Sequence, residues 1–170
     1  MKILVLGIGN LVMTDDGIGV RVVQLLEERY RFPAQVTVLD GGTLGLDLLP
    51  RIEAAERLLI VDALETGAPP GTLVRLSGAQ IPRALGTTLS PHQMGLKELL
   101  TVSSLLGSSP GETVLWGVQP DSVQMALRLS APVAAQLEPL VGKVLEELAA
   151  WGVSPKDSGI VPLKHCGKHY

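Results

Sequence analysis

The stretch LVLGIGNLVMTDDGIGV, residues 4–20, decides the fold. It opens on a continuous aliphatic run ending in glycine, the pattern of a strand buried on both faces. Gly7-Ile8-Gly9 then begins like a dinucleotide-binding loop. Such a fingerprint needs a third glycine three residues after the second, where the helix packs closely on the strand, and Val12 stands there. The helix also starts late, near Asp16, so the loop is too long to seat a pyrophosphate on a helix N-terminus directly after the strand. Gly7 and Gly9 are expected to turn the backbone sharply at the C-terminal edge of the sheet, and the loop to aim the two acids beyond it.

Outward from this stretch the pattern repeats. Residues 17–30 read as a helix, with Ile18, Val22, Leu25, Leu26 and Arg29 at spacings of three and four. Residues 36–39 form a second strand, closed by Asp40-Gly41-Gly42. Residues 44–52 suggest a short helix that Pro50 would end early, and residues 57–61 a third strand with Asp62 at its tip. Strand–helix–strand–helix–strand is the doubly wound α/β pattern. A rigid turn at Gly67-Ala68-Pro69-Pro70-Gly71 leads to an alternating edge strand over residues 72–76. A helix over 90–106, a buried strand over 113–118 and a long helix over 131–151 follow; Pro139 should kink or split the last. The expected organisation is one α/β domain, residues 1–153, and a loose tail, residues 154–170.

Composition narrows the function classes. The chain has 170 residues, 46% of them apolar but only 3% aromatic, which suits a Val/Ile/Leu-rich parallel sheet. A net charge of −3 provides no electrostatic footprint for nucleic acid. No apolar run reaches the length of a membrane span, and the first residues lack a signal-peptide layout. The one cysteine, Cys166, permits no internal disulfide, so the expected location is cytoplasmic.

Three polar residues stand out as candidates for chemistry. Asp62 ends a buried strand, where a carboxylate is paired, caps the next segment or coordinates an ion. Ser90-Pro91-His92-Gln93 is a helix start with Ser90 as N-cap, Pro91 at N1 and Gln93 completing a capping box. His92 then sits in the first turn, where the helix dipole favours the neutral imidazole that binds metals; alternatively it packs at a helix end. Of the adjacent Asp15 and Asp16, one is expected as an N-cap or first-turn acid, which leaves the other spare. In a doubly wound sheet the loops after the first and third strands meet at the topological switch point. Asp16, Asp62 and His92 could therefore share a crevice and hold a divalent first-row cation with open positions. There is no G-x-S-x-G elbow and no H-E-x-x-H. His165-Cys166-Gly167-Lys168-His169 could chelate a metal, but a basic terminus explains it more simply.

With these residues assembled, the chain resembles the hydrogenase maturation endopeptidases, nickel-dependent proteases that process the large subunit of nickel–iron hydrogenases. The resemblance is carried by Gly7-Ile8-Gly9-Asn10, Asp15-Asp16-Gly17-Ile18-Gly19, Asp40-Gly41-Gly42-Thr43, Val61-Asp62-Ala63 and Ser90-Pro91-His92-Gln93-Met94-Gly95-Leu96, in family order. It implies a three-layer α/β/α fold around a five-stranded, twisted, mostly parallel sheet with one antiparallel strand. It implies Asp16, Asp62 and His92 as metal-contacting and catalytic positions, with Asp at the first position where some members carry Glu. It points to Asp40, Gly41, Gly42 and Thr43 as a mobile loop near the site that helps recognise the precursor. The implied substrate is a large-subunit precursor that already carries nickel, and the implied reaction is removal of its C-terminal extension. A monomer is expected. Three alternatives remain: a nucleotide-binding α/β domain using Gly7, Gly9 and Asp40, a chaperone that holds metal or precursor without cutting, and a peptidase with a resident zinc.

Overall fold

Along β1 (Ile3–Ile8) the side chains alternate: Ile3 and Val5 enter one hydrophobic core, and Leu4, Leu6 and Ile8 enter another. A strand with two apolar faces needs a helical layer on each, and the chain supplies both. A computed structural model of the protein describes residues 1–42, 45–85 and 91–159, and for residues 91–94 the backbone alone.

A 3-10 turn (Thr14–Gly17) and α1 (Ile18–Arg29) follow β1. Then come β2 (Tyr30–Arg31), β3 (Val36–Gly42), a second 3-10 turn (Gly45–Leu48) and α2 (Leu49–Ala54). Next are β4 (Arg57–Ala63), β5 (Leu73–Ser77), α3 (Gln80–Leu85), α4 (Pro91–Leu105) and β6 (Glu112–Val118). The last are α5 (Ala131–Ala134), α6 (Leu137–Ala150) and β7 (Lys156–Asp157). The main sheet has the order β3-β1-β4-β6-β5. All its pairs are parallel except β5 with β6, so the odd strand is the edge strand expected from residues 72–76. This is the three-layer architecture that the resemblance implied. No helix among the described residues is long and apolar enough to cross a membrane.

One core lies between the sheet and α1, α5 and α6; the other lies under α2, α3 and α4. In β4, Leu59 and Val61 face the first, and Leu58 and Ile60 face the second. Two glycines set the distance between α1 and the sheet. A Cβ on Gly7 would lie 2.3 Å from the Gly19 carbonyl oxygen, and a Cβ on Gly19 would lie 2.1 Å from the Val61 oxygen and 2.5 Å from the Ile8 oxygen. The start of α1 therefore rests directly on the backbone of β1 and β4. Gly7 was expected to serve a turn; it is extended strand, and its need for glycine comes from this approach. Gly9, at φ +135°, is the residue that turns the chain.

Several local expectations are corrected. Pro50 does not end a helix; it occupies the first turn of α2, where no N–H is required. The helix over 131–151 does split, between α5 and α6, and Pro139 falls in the first turn of the second piece. Asp40, Gly41 and Gly42 are strand rather than loop. They continue β3 against β1, with Gly7 opposite Asp40 and Ile8 opposite Gly42 across a register shift. Within the segment assigned to the tail, Lys156 and Asp157 pair antiparallel with Arg31 and Tyr30, and Ser158 N–H donates to the Arg29 carbonyl at 2.8 Å. Leu44, Thr43, Ser90 and the His165-Cys166-His169 cluster lie outside the described residues.

On the α6 side, the Glu147 carboxylate accepts from Arg75 Nε and Nη2 and from Trp116 Nε1. The hydrogen bond from Arg75 holds Glu147 below the usual carboxylate range, against the opposing effect of its burial. A depressed folded-state pKa contributes stability above the unfolded value, and the contribution disappears as pH falls through the folded one. Glu147→Gln should therefore weaken the fold by about 1–3 kcal/mol at neutral pH, a range that allows for the part-exposed Arg75. The same variant should flatten the acid limb of a stability–pH curve followed by urea unfolding. Gly19→Ala provides a sharper test. Helix propensity alone predicts a gain of about 1 kcal/mol, whereas overlap with two backbone carbonyls predicts a loss of about 3 kcal/mol. An unchanged or raised urea midpoint would refute the close-approach argument.

Candidate active site at the C-terminal edge of the sheet

Because α1 begins on the ends of β1 and β4, the residues just before it are held over the C-terminal edge of the sheet. The loop after β1 winds tightly there. Met13 N–H donates to the Asn10 carbonyl and Asp16 N–H to the Met13 carbonyl, both at 3.1 Å. A Cβ on Gly9 would lie 1.8 Å from the Asp16 carbonyl oxygen, so only glycine lets this turn close. Asp16 Oδ2 accepts the Asn10 N–H at 3.1 Å, which fixes the carboxylate at the sheet edge.

The two acids have separate roles. Asp15 is fully buried. Its Oδ2 accepts from the N–H groups of Asp121 and Ser122, each at 2.9 Å, and from Ser130 Oγ at 2.7 Å; its Oδ1 accepts the Ser130 N–H at 2.7 Å. Four donors match the lone-pair capacity of a carboxylate, so Asp15 is committed to the loop between β6 and α5. Neither acid caps α1, whose N-cap is Gly17 without a side-chain cap bond. The structural acid foreseen at this point is Asp15, but it serves a loop more than a hundred residues away. Asp16 is the acid held toward the sheet edge by the Asn10 N–H.

Asp62 lies within β4, opposite Gly117 of β6, and is fully buried. Its parity is that of Leu58 and Ile60, so it belongs to the face covered by α4. His92 is the second residue of α4, as the Ser-Pro-His-Gln pattern foretold; its side chain lies outside the described residues. The structure thus brings Asp16 and Asp62 to one edge of the sheet and starts the His92 helix on the face of Asp62. Asp40 Oδ1 accepts the Gly42 N–H at 2.9 Å, a local turn contact at the end of β3, and Gly9 N–H reaches the Gly42 carbonyl at 3.1 Å. Asp40, Gly41 and Gly42 therefore flank the same edge.

Residues 20–147 match the family model described as hydrogenase maturation protease. The chain belongs to the hydrogenase maturation protease family. Asp62 and His92 fall within the matched stretch, and Asp16 lies just before it. A hydrogenase 2 maturation protease of Escherichia coli (strain K12) is 40% identical over 154 residues, covering 90% of this chain and 94% of the relative. The hydrogenase expression/formation protein HoxM of Azotobacter vinelandii is 44% identical over 154 residues, 89% of this chain and 74% of the relative. Among solved structures, the hydrogenase maturating endopeptidase HybD from E. coli superposes with a TM-score of 0.90 at 38% identity, over 95% of this chain and 100% of that one. A NiFe hydrogenase maturation protease from Thermococcus kodakarensis gives 0.68 at 30% identity, over 88% and 99%. As a hydrogenase maturation protease, the chain is an enzyme and a hydrolase.

Two supporting residues of this protease escaped sequence reasoning. Thr14 has φ +46°, the one positive value outside glycine among the described residues. Its Oγ1 donates to the Ser122 carbonyl at 2.5 Å and accepts the Gln124 N–H at 3.0 Å. A β-branched residue in that region is strained and persists only where its surroundings over-determine it. Gln119 is buried and ties the loops after β4 and β6 together. Its Oε1 accepts the Thr66 N–H at 2.7 Å, and its Nε2 donates to Glu65 Oε1 at 2.9 Å. Nothing local in the sequence marks either contact, although Ser130 before Ala131-Pro132 is a legible helix start. Asp15→Ala would leave buried N–H groups of the distant loop without their acceptor. It should lower stability by about 3 kcal/mol or more and speed amide exchange at Ser122 and Ser130. Wild-type protection at both amides would contradict this role.

Proposed function

We propose that this protease removes a C-terminal extension from the large-subunit precursor of a nickel–iron hydrogenase after nickel insertion, and that Asp16, Asp62 and His92 contact the nickel that the precursor carries. The observation that carries the reading is the separate placement of the adjacent acids: Asp15 is bound by four loop donors, while Asp16 is held by the Asn10 N–H at the edge near which Asp62 lies in β4. Two carboxylates and an imidazole form an oxygen–oxygen–nitrogen donor set suited to a borderline divalent ion and able to exchange it. Such a set recognises a metal brought by a substrate without needing to retain it.

On this reading the ion is a checkpoint. A precursor without nickel does not position its scissile bond against the enzyme, and positioning is worth a large part of the barrier. Nickel supplies Lewis acidity toward a carbonyl oxygen. The Asp16 carboxylate, held by the Asn10 N–H, is placed to take a proton as general base. Asp62, desolvated within the sheet, orients the ion from the α4 side together with His92. Asp40, Gly41, Gly42 and Thr43 guide the precursor past the site. The enzyme acts as a monomer in the cytoplasm, and its substrate is the hydrogenase precursor.

The experiment mixes purified enzyme with nickel-loaded and nickel-free precursor and weighs the products. Shortening of the loaded precursor alone is expected. Asp62→Ala and His92→Ala should each lower cleavage at least about a hundredfold, the scale on which a positioned catalytic group acts. Undiminished cleavage by both variants would end the assignment of the site, and equal cleavage of nickel-free precursor would end the checkpoint.

A further inference from the structure

The loop that Asp15 anchors has an unusual composition for a solvent-facing segment. Val123, Met125 and Leu127 alternate along it, exposed to 52%, 84% and 67%, and Val12 on the facing loop is exposed to 46%. These four make up half of the large apolar side chains left exposed among the described residues. The backbone beneath them is held on all sides. Met13 and Ala126 form a parallel bridge. Thr14 N–H donates to the Ala126 carbonyl at 3.0 Å, and Ala126 N–H donates to the Val12 carbonyl at 2.9 Å. Arg21 donates to the Leu127 carbonyl, and the buried Asp15 and the strained Thr14 complete the attachment.

A buried carboxylate and a strained threonine are expensive ways to hold a surface loop. Holding it rigid, with its apolar side chains outward, has a clear use in an endopeptidase, which must grip polypeptide on either side of the bond it cuts. The platform is also close to the candidate catalytic acid. Met13, bridged to Ala126, is one 3-10 turn from Asp16, about 6 Å along the turn axis. Exposed methionine and aliphatic side chains adapt to apolar partners, and a rigid backbone lowers the entropy lost on binding.

We propose that Val12, Val123, Met125 and Leu127 form a docking platform for an apolar segment of the precursor polypeptide beside the scissile bond. The proposal rests on the reading that a hydrogenase precursor is the substrate.

The test is the triple variant Val123→Ser, Met125→Ser, Leu127→Ser. All three side chains are exposed, so thermal unfolding should match wild type. Two properties are read on nickel-loaded precursor: steady-state cleavage, and binding to Asp62→Asn enzyme with and without the triple change. The triple variant should raise KM about tenfold or more with kcat within about twofold, and should weaken binding by the same factor. Leu105→Ser with Leu106→Ser, which removes exposed apolar side chains at the far end of α4, should change neither. Unchanged KM and binding in the triple variant would overturn the platform, as would an equal loss in the α4 control. Self-association of wild type that the triple change abolishes, with precursor binding intact, would assign the patch to a second copy and also overturn the proposal. Wild type that binds precursor through the loop but never cuts it would sink the proposed function and leave the platform standing.

Discussion

The structure depends on one close contact, the seating of the first turn of α1 on bare strand backbone. Gly7 and Gly19 each remove the side chain that would hold helix and sheet apart, and the Gly19 Cα sits against the carbonyls of Ile8 and Val61. A helix held off the sheet by intervening side chains would carry the preceding turn away from the strand ends. With the glycines, residues 14–17 close over the C-terminal edge of β1 and β4, where Asp62 lies. The dinucleotide fingerprint solves the same packing problem with a glycine directly after its loop. Here the glycine comes later, at position 19, and the intervening residues form a 3-10 turn bearing two acids.

The adjacent acids show how one turn sends identical side chains to different places. Asp15 accepts from three loop N–H groups and the Ser130 hydroxyl, so its burial is compensated and its position fixed. Asp16 lies one residue on, and the turn rotates it toward the sheet edge. Neither residue's role could be exchanged with the other's without rebuilding the loop between β6 and α5. The same arrangement explains how a strained Thr14 persists just before them: its hydroxyl and N–H are both engaged by that loop.

Much of this was legible in the chain. The aliphatic runs at the start of β1, β4 and β6 and the weaker alternation in β5 gave the sheet and its odd edge strand, because burial on two faces and on one leave different periodicities. Ser90-Pro91-His92-Gln93 placed the start of α4 within a residue. The failures have physical causes too. Pro50 reads as a breaker, yet it sits in the first turn of α2, where its missing N–H is harmless, whereas Pro139 directly follows the split it leads one to expect. Asp40-Gly41-Gly42 looked like a loop because glycine and aspartate favour turns, but pairing with β1 outweighs that preference. The partners of Asp15 and Gln119, and the pairing of Tyr30-Arg31 with Lys156-Asp157, join segments separated by dozens to more than a hundred residues, and no local pattern announces them.

The reach of Asp15 also bears on when the molecule becomes competent. Its partners lie 106, 107 and 115 residues further along the chain. Closing a loop of that span is favourable only after nearer contacts have shortened it. Until β6 has joined the sheet and Ser130 has emerged, the Asp15 carboxylate is solvated and the turn that aims Asp16 has no brace. The order of the turn after β1 thus depends on the C-terminal third of the chain, and a chain without that third would leave the Asp15–Asp16 turn unbraced.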